Sequence, residues 1–239
     1  MIDFYAMGSP NVVKIYLALE EMELPYTVHP VDVFGGTQFS AEFRKLNPNA
    51  KVPVIVDRDG PGGKPYTVFE SGAILLYLAD KTGKFLPTEK IARFDAIQWL
   101  MVQMTGVGPM FGQFVHFMRF APKGNDYSLD RYRTQVKRVL ETIEGRLAVT
   151  PFLGGSDYGI ADIATWPWLR AVPMFLGEAA MKDYPKITAW NAVIAARPAA
   201  QRAAKATDEV RAKTTAFDKA APDTMDKVFG RGAYNAAAS

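Results

Sequence analysis

Two short runs, Lys51-Val52-Pro53 and Glu70-Ser71, carry the most chemistry in this sequence. A proline at the entrance of a strand is often only an edge residue, or a cis bond in a turn. A cis bond before Pro53 leaves the N–H and C=O of Val52 facing outward, able to pair with an extended peptide as an added strand. About 18 residues on, Ser71 caps a helix whose N-terminus offers backbone donors and positive potential to a carboxylate. Glu70 beside it can hold an amino group. Together the two runs describe a site for a peptide-like ligand with an α-amino and an α-carboxylate group at one end. The γ-glutamyl group of glutathione is such a ligand.

The residue types that are missing narrow the chemistry further. There is no cysteine, and the histidines are His29 and His116. This excludes disulfide frameworks, thiolate zinc sites and any thiol nucleophile borne by the protein, and no metal centre is expected. P-loop, HExxH and GxSxG patterns are absent. Gly106-x-Gly108-x-x-x-Gly112 does not sit between a strand and a helix, so no nucleotide site is expected there. The reaction must use hydroxyls, amides, carboxylates or a reactive group that arrives with a bound molecule.

Hydrophobic residues make up 49% of the 239 residues and charged residues 22%, which suits a globular chain large enough for two modest domains. The net charge of +3 is uneven: residues 1–80 hold 6 Lys and Arg against 10 Asp and Glu, leaving 22 against 15 for the rest. The later basic residues are scattered singly among acids, so a solvated surface is expected and nucleic acid is not. No apolar run approaches the roughly 18 residues of a membrane span, and no basic segment precedes Lys14. No membrane span and no secretory signal are expected, and the cytoplasm is the default location.

The elements that must position these residues follow from periodicity. Residues 2–6 read as a strand. Val12, Ile15, Tyr16, Leu19 and Met22 then repeat at helical spacing, with Asn11 as the N-cap. Tyr26–Val33 reads as a second strand, residues 39–46 as a short helix, Val52–Val56 and Tyr66–Phe69 as two more strands, and the Ser71 segment as a helix. The order β-α-β-α-β-β-α implies a parallel pair followed by an antiparallel hairpin, hence a mixed four-stranded α/β sheet over residues 1–81. From Arg93 to about Arg202 the pattern is all helical. The apolar stripe Val136, Val139, Leu140, Ile143 and Leu147 is its best example, and Gly106-Val-Gly108-Pro109 is expected to kink or end a helix. The domains expected are therefore 1–81, 90–205 and a partly ordered tail, 206–239.

At this point the residues resemble a known family, the soluble glutathione transferases, and the resemblance covers nearly the whole chain. It implies a thioredoxin-like first domain and an all-α second domain, with Val52-Pro53 clamping the cysteinyl part of glutathione and Glu70-Ser71 the γ-glutamyl part. Gly159-Ile160-Ala161-Asp162 is similar to the family's capping box in the second domain. Glycine stands there in place of the usual Ser or Thr, so weaker capping is expected. Ser9-Pro10-Asn11, Gly36-x-Gln38-Phe39, Phe69 to Leu78, Gln98-Trp99-Leu100 and Gly108-Pro109-Met110-x-Gly112-Gln113 resemble the bacterial Nu-class disulfide-bond oxidoreductases.

That branch reduces small disulfides with glutathione and without a protein cysteine. The resemblance implies that Ser9 and Asn11 approach the glutathione sulfur, with Tyr5 in packing, and that Gln38 and Lys51 hold the glycyl end. Arg131 either adds a charge from the helical domain or is a surface arginine. Met110, Phe111, Phe114 and Trp168, in a stripe with Met104 and Phe117, either line a hydrophobic substrate pocket between the domains or are plain core. A tail near Tyr234 is a candidate cover for that pocket. The resemblance also implies a homodimer. The function expected is glutathione-dependent disulfide reduction or a broader transferase activity on a small hydrophobic or disulfide substrate. The alternatives are a glutathione lyase or ether-cleaving enzyme, and a non-catalytic glutathione-binding protein.

Overall fold

The computed structural model describes residues 1–235. Two compact units emerge: Met1–Ile74 together with the segment from Arg202 onward, and Leu75–Gln201.

The first unit is built on strands β1 (Ile2–Ala6), β2 (Tyr26–Pro30), β3 (Val54–Asp57) and β4 (Tyr66–Phe69), in the spatial order β2-β1-β3-β4. β1 and β2 are parallel, with Ile2 opposite Tyr26, while β1–β3 and β3–β4 are antiparallel. The mixed four-stranded sheet is the one expected. The parallel pair requires a crossover, supplied by α1 (Pro10–Glu21). A short α2 (Ala41–Leu46) follows β2, and α3 (Ser71–Thr82) follows β4. Val12, Ile15, Tyr16 and Leu19 of α1 are fully buried, as their spacing predicts.

Several boundaries differ from expectation, and β2 ends at Pro30 rather than Val33. Ser9, not Asn11, is the N-cap of α1, because Pro10 fits the first helical position, where no N–H is needed. Ser71 is the first helical residue of α3, and the Glu70 carbonyl accepts from the Ile74 N–H. β3 begins at Val54, because Pro53 has no N–H to give the ladder.

The region after residue 205 is also more ordered than expected. α10 (Pro198–Arg211) continues to Arg211, and α11 (Pro222–Phe229) is bounded by Pro222 at its start and by Gly230 at φ +64° just past its end. The final residues of that tail, 236–239, lie outside the described residues.

The second unit contains α4 (Lys90–Val102), α5 (Gly108–Arg119), α6 (Asp126–Leu147), α7 (Ile160–Leu169), α8 (Val172–Leu176) and α9 (Pro185–Ala195). Gln103–Val107 forms a π turn in which the Gly108 N–H reaches the Gln103 carbonyl, so the Gly-Pro interruption ends one helix and starts the next. At the start of α7, the Asp162 carboxylate accepts from the Gly159 N–H at 3.1 Å. The glycine has a steric reason that sequence reading did not supply: a Cβ at 159 would sit 2.8 Å from the Phe85 carbonyl oxygen.

Candidate functional site

Ser9 and Asn11 lie together at the head of α1. Ser9 is extended (φ −126°, ψ 156°), its carbonyl accepts from Val12 and Val13, and its side chain does not cap the helix. Asn11 is half-buried at the second helical position. The side chain of Arg211, from the end of α10, runs over the backbone at Gly8. A Cβ there would lie 2.3 Å from the arginine Cγ. This arginine beside the Ser9 turn was missed in the sequence, because it comes from the far end of the chain.

The Val52–Pro53 peptide bond is cis. Among the described residues, neither the N–H nor the C=O of Val52 takes part in a backbone hydrogen bond, which leaves both for an added strand. The turn before it is built by buried Asn47, whose side chain donates to the Lys51 carbonyl at 2.7 Å and accepts from the Asn49 N–H. Ala50 completes the turn at φ +52°. Lys51 is exposed. Gln38 is buried in the loop after β2. It is 2% exposed, its amide donates to the Val33 carbonyl at 3.2 Å, and its remaining oxygen is buried without a partner among the described residues.

Glu70 and Ser71 close the site at the head of α3. Glu70 is exposed and held at φ +70°, a left-handed conformation that is rare for a residue with a Cβ and is a mark of constrained sites. Ser71 is buried, and its Oγ accepts from Lys14 Nζ at 3.1 Å. Lys14 lies on α1, three residues after Asn11, and is 1% exposed. Burial lowers its ammonium to about 7, with the Glu70 charge opposing the shift. Sequence reading had assigned no role to this lysine, since a single Lys in a helix reads as surface.

Tyr5 stacks on His29 (centroids 4.9 Å apart, 20° between planes) and packs beside Val31, Phe43 and Val54. Arg131 is exposed on α6, in a shallow groove with Tyr127, Asp130 and Arg138. Phe111 and Phe114 are buried in the helical unit, 0% and 1% exposed. Met110 and Trp168 are half-buried, with the Trp168 ring 6.5 Å from Phe111. In the tail, Tyr234 donates to Asp223, and Lys227 lies 4.6 Å over the Phe39 ring. Among the described residues no cluster of His, Asp and Glu could hold a metal ion, and no helix is long and apolar enough to cross a membrane.

Known proteins resemble the sequence of both units. Residues 8–81 match the family model for the glutathione S-transferase N-terminal domain, and residues 98–198 match that for the C-terminal domain. The disulfide-bond oxidoreductase YfcG of Escherichia coli is 46% identical over 85% of this chain and 94% of that protein. The disulfide-bond oxidoreductase YghU of the same organism is 35% identical over 84% of this chain and 73% of its own length. Among solved structures, a Pseudomonas fluorescens family member with two glutathione molecules bound is 41% identical, with TM-score 0.81 over 84% of this chain and 91% of that one. A Pseudomonas putida glutathione transferase with one glutathione disulfide bound per subunit is 38% identical, with TM-score 0.81 over 85% and 90%.

Proposed function

We propose that this chain, which belongs to the glutathione S-transferase family, reduces small disulfides with the thiol of bound glutathione. The observation that carries the reading is a peptide cradle in a chain with no cysteine: the unpaired Val52 backbone before a cis proline, and Glu70 with buried Ser71 at the head of a helix. Two relatives named as disulfide-bond oxidoreductases, and a neighbour holding glutathione disulfide, support it.

In this reading the Val52 backbone pairs with the cysteinyl residue of glutathione, and Glu70 and Ser71 hold the amino and carboxylate groups of its γ-glutamyl end. Lys51 meets the glycyl carboxylate, and Arg131 adds a positive charge from the helical unit. Ser9 and Asn11 donate to the sulfur. A free thiol with pKa about 8.5 is only a few per cent thiolate at neutral pH, and donors at a helix start favour the anion.

The thiolate attacks one sulfur of the substrate disulfide, forming a mixed disulfide and releasing the other sulfur as a thiolate, which takes up a proton. A second glutathione thiolate then attacks the mixed disulfide, giving glutathione disulfide and the second reduced thiol. Two glutathione molecules are oxidised and one disulfide is reduced. Met110 and Trp168 contribute apolar surface to the substrate. The protein works as a homodimer, and its need for reduced glutathione assigns it to the cytoplasm.

Turnover of hydroxyethyl disulfide with glutathione tests this function. Steady oxidation of glutathione above the uncatalysed rate is expected. Glutathione binding without turnover would instead make the chain a binding protein.

A further inference from the structure

The buried ammonium of Lys14 sits where a cation is hardest to keep. It lies within the apolar stretch Val12–Leu19, and its Nζ points at Ser71, the first residue of α3. A helix start already carries about half a unit of positive charge and unsatisfied N–H groups. A buried cation against that end pays for its own desolvation and is repelled by the helix dipole. Glu70 offsets part of this, yet burial still lowers the ammonium to about 7. A second negative charge at the head of α3 would relieve both penalties at once.

We propose that Lys14 is the buried counter-charge for the α-carboxylate of the γ-glutamyl group, acting through the Ser71 hydroxyl. It is a positioning residue, and the assignment rests on the glutathione reading above. An ammonium has three donors and no acceptor, so the Ser71 oxygen must accept from it. A hydroxyl that accepts from a cation is polarised, and its own proton is directed to another acceptor. The carboxylate then meets a charge-assisted donor in addition to the helix-end N–H groups. Lysine charge also explains why Glu70 does not repel the incoming carboxylate: it pairs with the ligand's amino group, while Lys14 balances the acid.

The test compares two probes by calorimetry on the full chain: S-methylglutathione, whose thiol is blocked, and the same tripeptide with 4-aminobutyrate replacing the γ-glutamyl residue, which lacks the α-carboxylate. Lys14→Met keeps length and removes charge. It is expected to weaken S-methylglutathione binding about tenfold or more, as loss of a charged hydrogen bond does, and to leave the decarboxylated probe within about twofold. Lys14→Met and Ser71→Ala together should weaken binding no more than the stronger single change. In turnover, the KM for glutathione should rise while kcat at saturating glutathione stays within about threefold.

Melting no lower than the parent protein is expected, because replacing a buried charge by an apolar isostere is often neutral or stabilising. If both probes weaken equally, or neither does, the proposal is overturned. If the parent protein itself fails to bind S-methylglutathione, the glutathione reading falls first.

Discussion

Asp32 accepts two hydrogen bonds from Thr215, a residue 183 positions later: one from the backbone N–H at 3.0 Å and one from Oγ1 at 2.6 Å. A third comes from the Gly35 N–H at 2.9 Å. One carboxylate thus shapes the loop that leads to Gln38 and pins the C-terminal segment to the same unit. Burial pushes its pKa up, but the bonds from Thr215 and Gly35 outweigh burial and hold it below the usual carboxylate range. The clamp is therefore at full strength above about pH 4 and weakens as acid protonates Asp32. Asp32→Ala should cost about 1–3 kcal/mol and free the segment after Arg211. Limited trypsin digestion at Lys213 and Lys219 should quicken at neutral pH, and an unchanged cleavage rate would count against the clamp.

Glu70 has a backbone that resists it and a carboxylate the proposed ligand needs. A left-handed residue with a Cβ costs about 1–2 kcal/mol, part of which glycine returns to the unfolded chain as entropy. Glu70→Gly should therefore raise stability by about 0.5–1 kcal/mol while weakening glutathione binding. Denaturant unfolding and calorimetry on the same variant separate the two effects. A loss of both stability and affinity would mean that Glu70 serves the fold and not the ligand.

Much of this site could be read locally, and what could not depends on contacts across the chain. Val52-Pro53 and Glu70-Ser71 were legible because each combines a backbone constraint with an element boundary. Tyr66–Phe69 was legible because Pro65 and the Glu70 turn punctuate it. Lys14 was not, since its burial is decided by Ser71, 57 residues away. α10 was placed only to about Arg202, because its buried face is Ala199, Ala200, Ala203, Thr207 and Val210, small residues that give little contrast with their alanine-rich surroundings. α11 follows the same logic: Met225 is its buried apolar residue, and only Pro222 and Gly230 mark its ends. The burial of Gln38 under its own loop was likewise invisible to spacing.

Asn11 can be tested apart from binding. Asn11→Ala should lower kcat/KM for disulfide reduction about tenfold near neutral pH and move the ascending acid limb of its pH profile up by about one unit, as a less stabilised thiolate requires. Ultraviolet thiolate absorbance of the bound glutathione should shift in parallel. A parallel loss at every pH, with no displacement of the profile, would assign Asn11 to positioning.

Lys14 also sets a pH dependence of stability. Its folded value of about 7 lies below the ordinary 10.5, so between these limits the unfolded chain binds the extra proton. Stability from this group therefore rises with pH from about 7 and levels off near 10. Burial raises the Tyr16 and Tyr26 phenols above their ordinary 10.0, and these oppose it beyond that point because only the unfolded tyrosines then ionise. The ligand-free protein should show a slope toward higher stability from neutral to mildly alkaline pH in urea unfolding. Lys14→Met should flatten that slope, and a slope that survives the substitution would assign it to other groups.

Asp162 gives the sharpest stability test in the helical unit. Burial raises its carboxyl to about 6 despite three hydrogen bonds. One oxygen accepts from the Leu153 N–H and from Trp190 Nε1, both at 2.9 Å, and the other accepts from the Gly159 N–H. Asp162→Asn keeps the first oxygen but turns an NH₂ toward the Gly159 N–H, so one buried donor loses its acceptor, at about 1–3 kcal/mol. Asp162→Ala strands all three donors and should cost about 3–5 kcal/mol, the range of a disrupted buried network. Because the folded carboxyl is raised above its ordinary 3.8, the parent protein should lose some stability as pH rises from 4 to 6, and the asparagine variant should not. Urea unfolding at pH 4 and 7 measures both effects. Equal losses in the two variants would show that the network does not hold the start of α7.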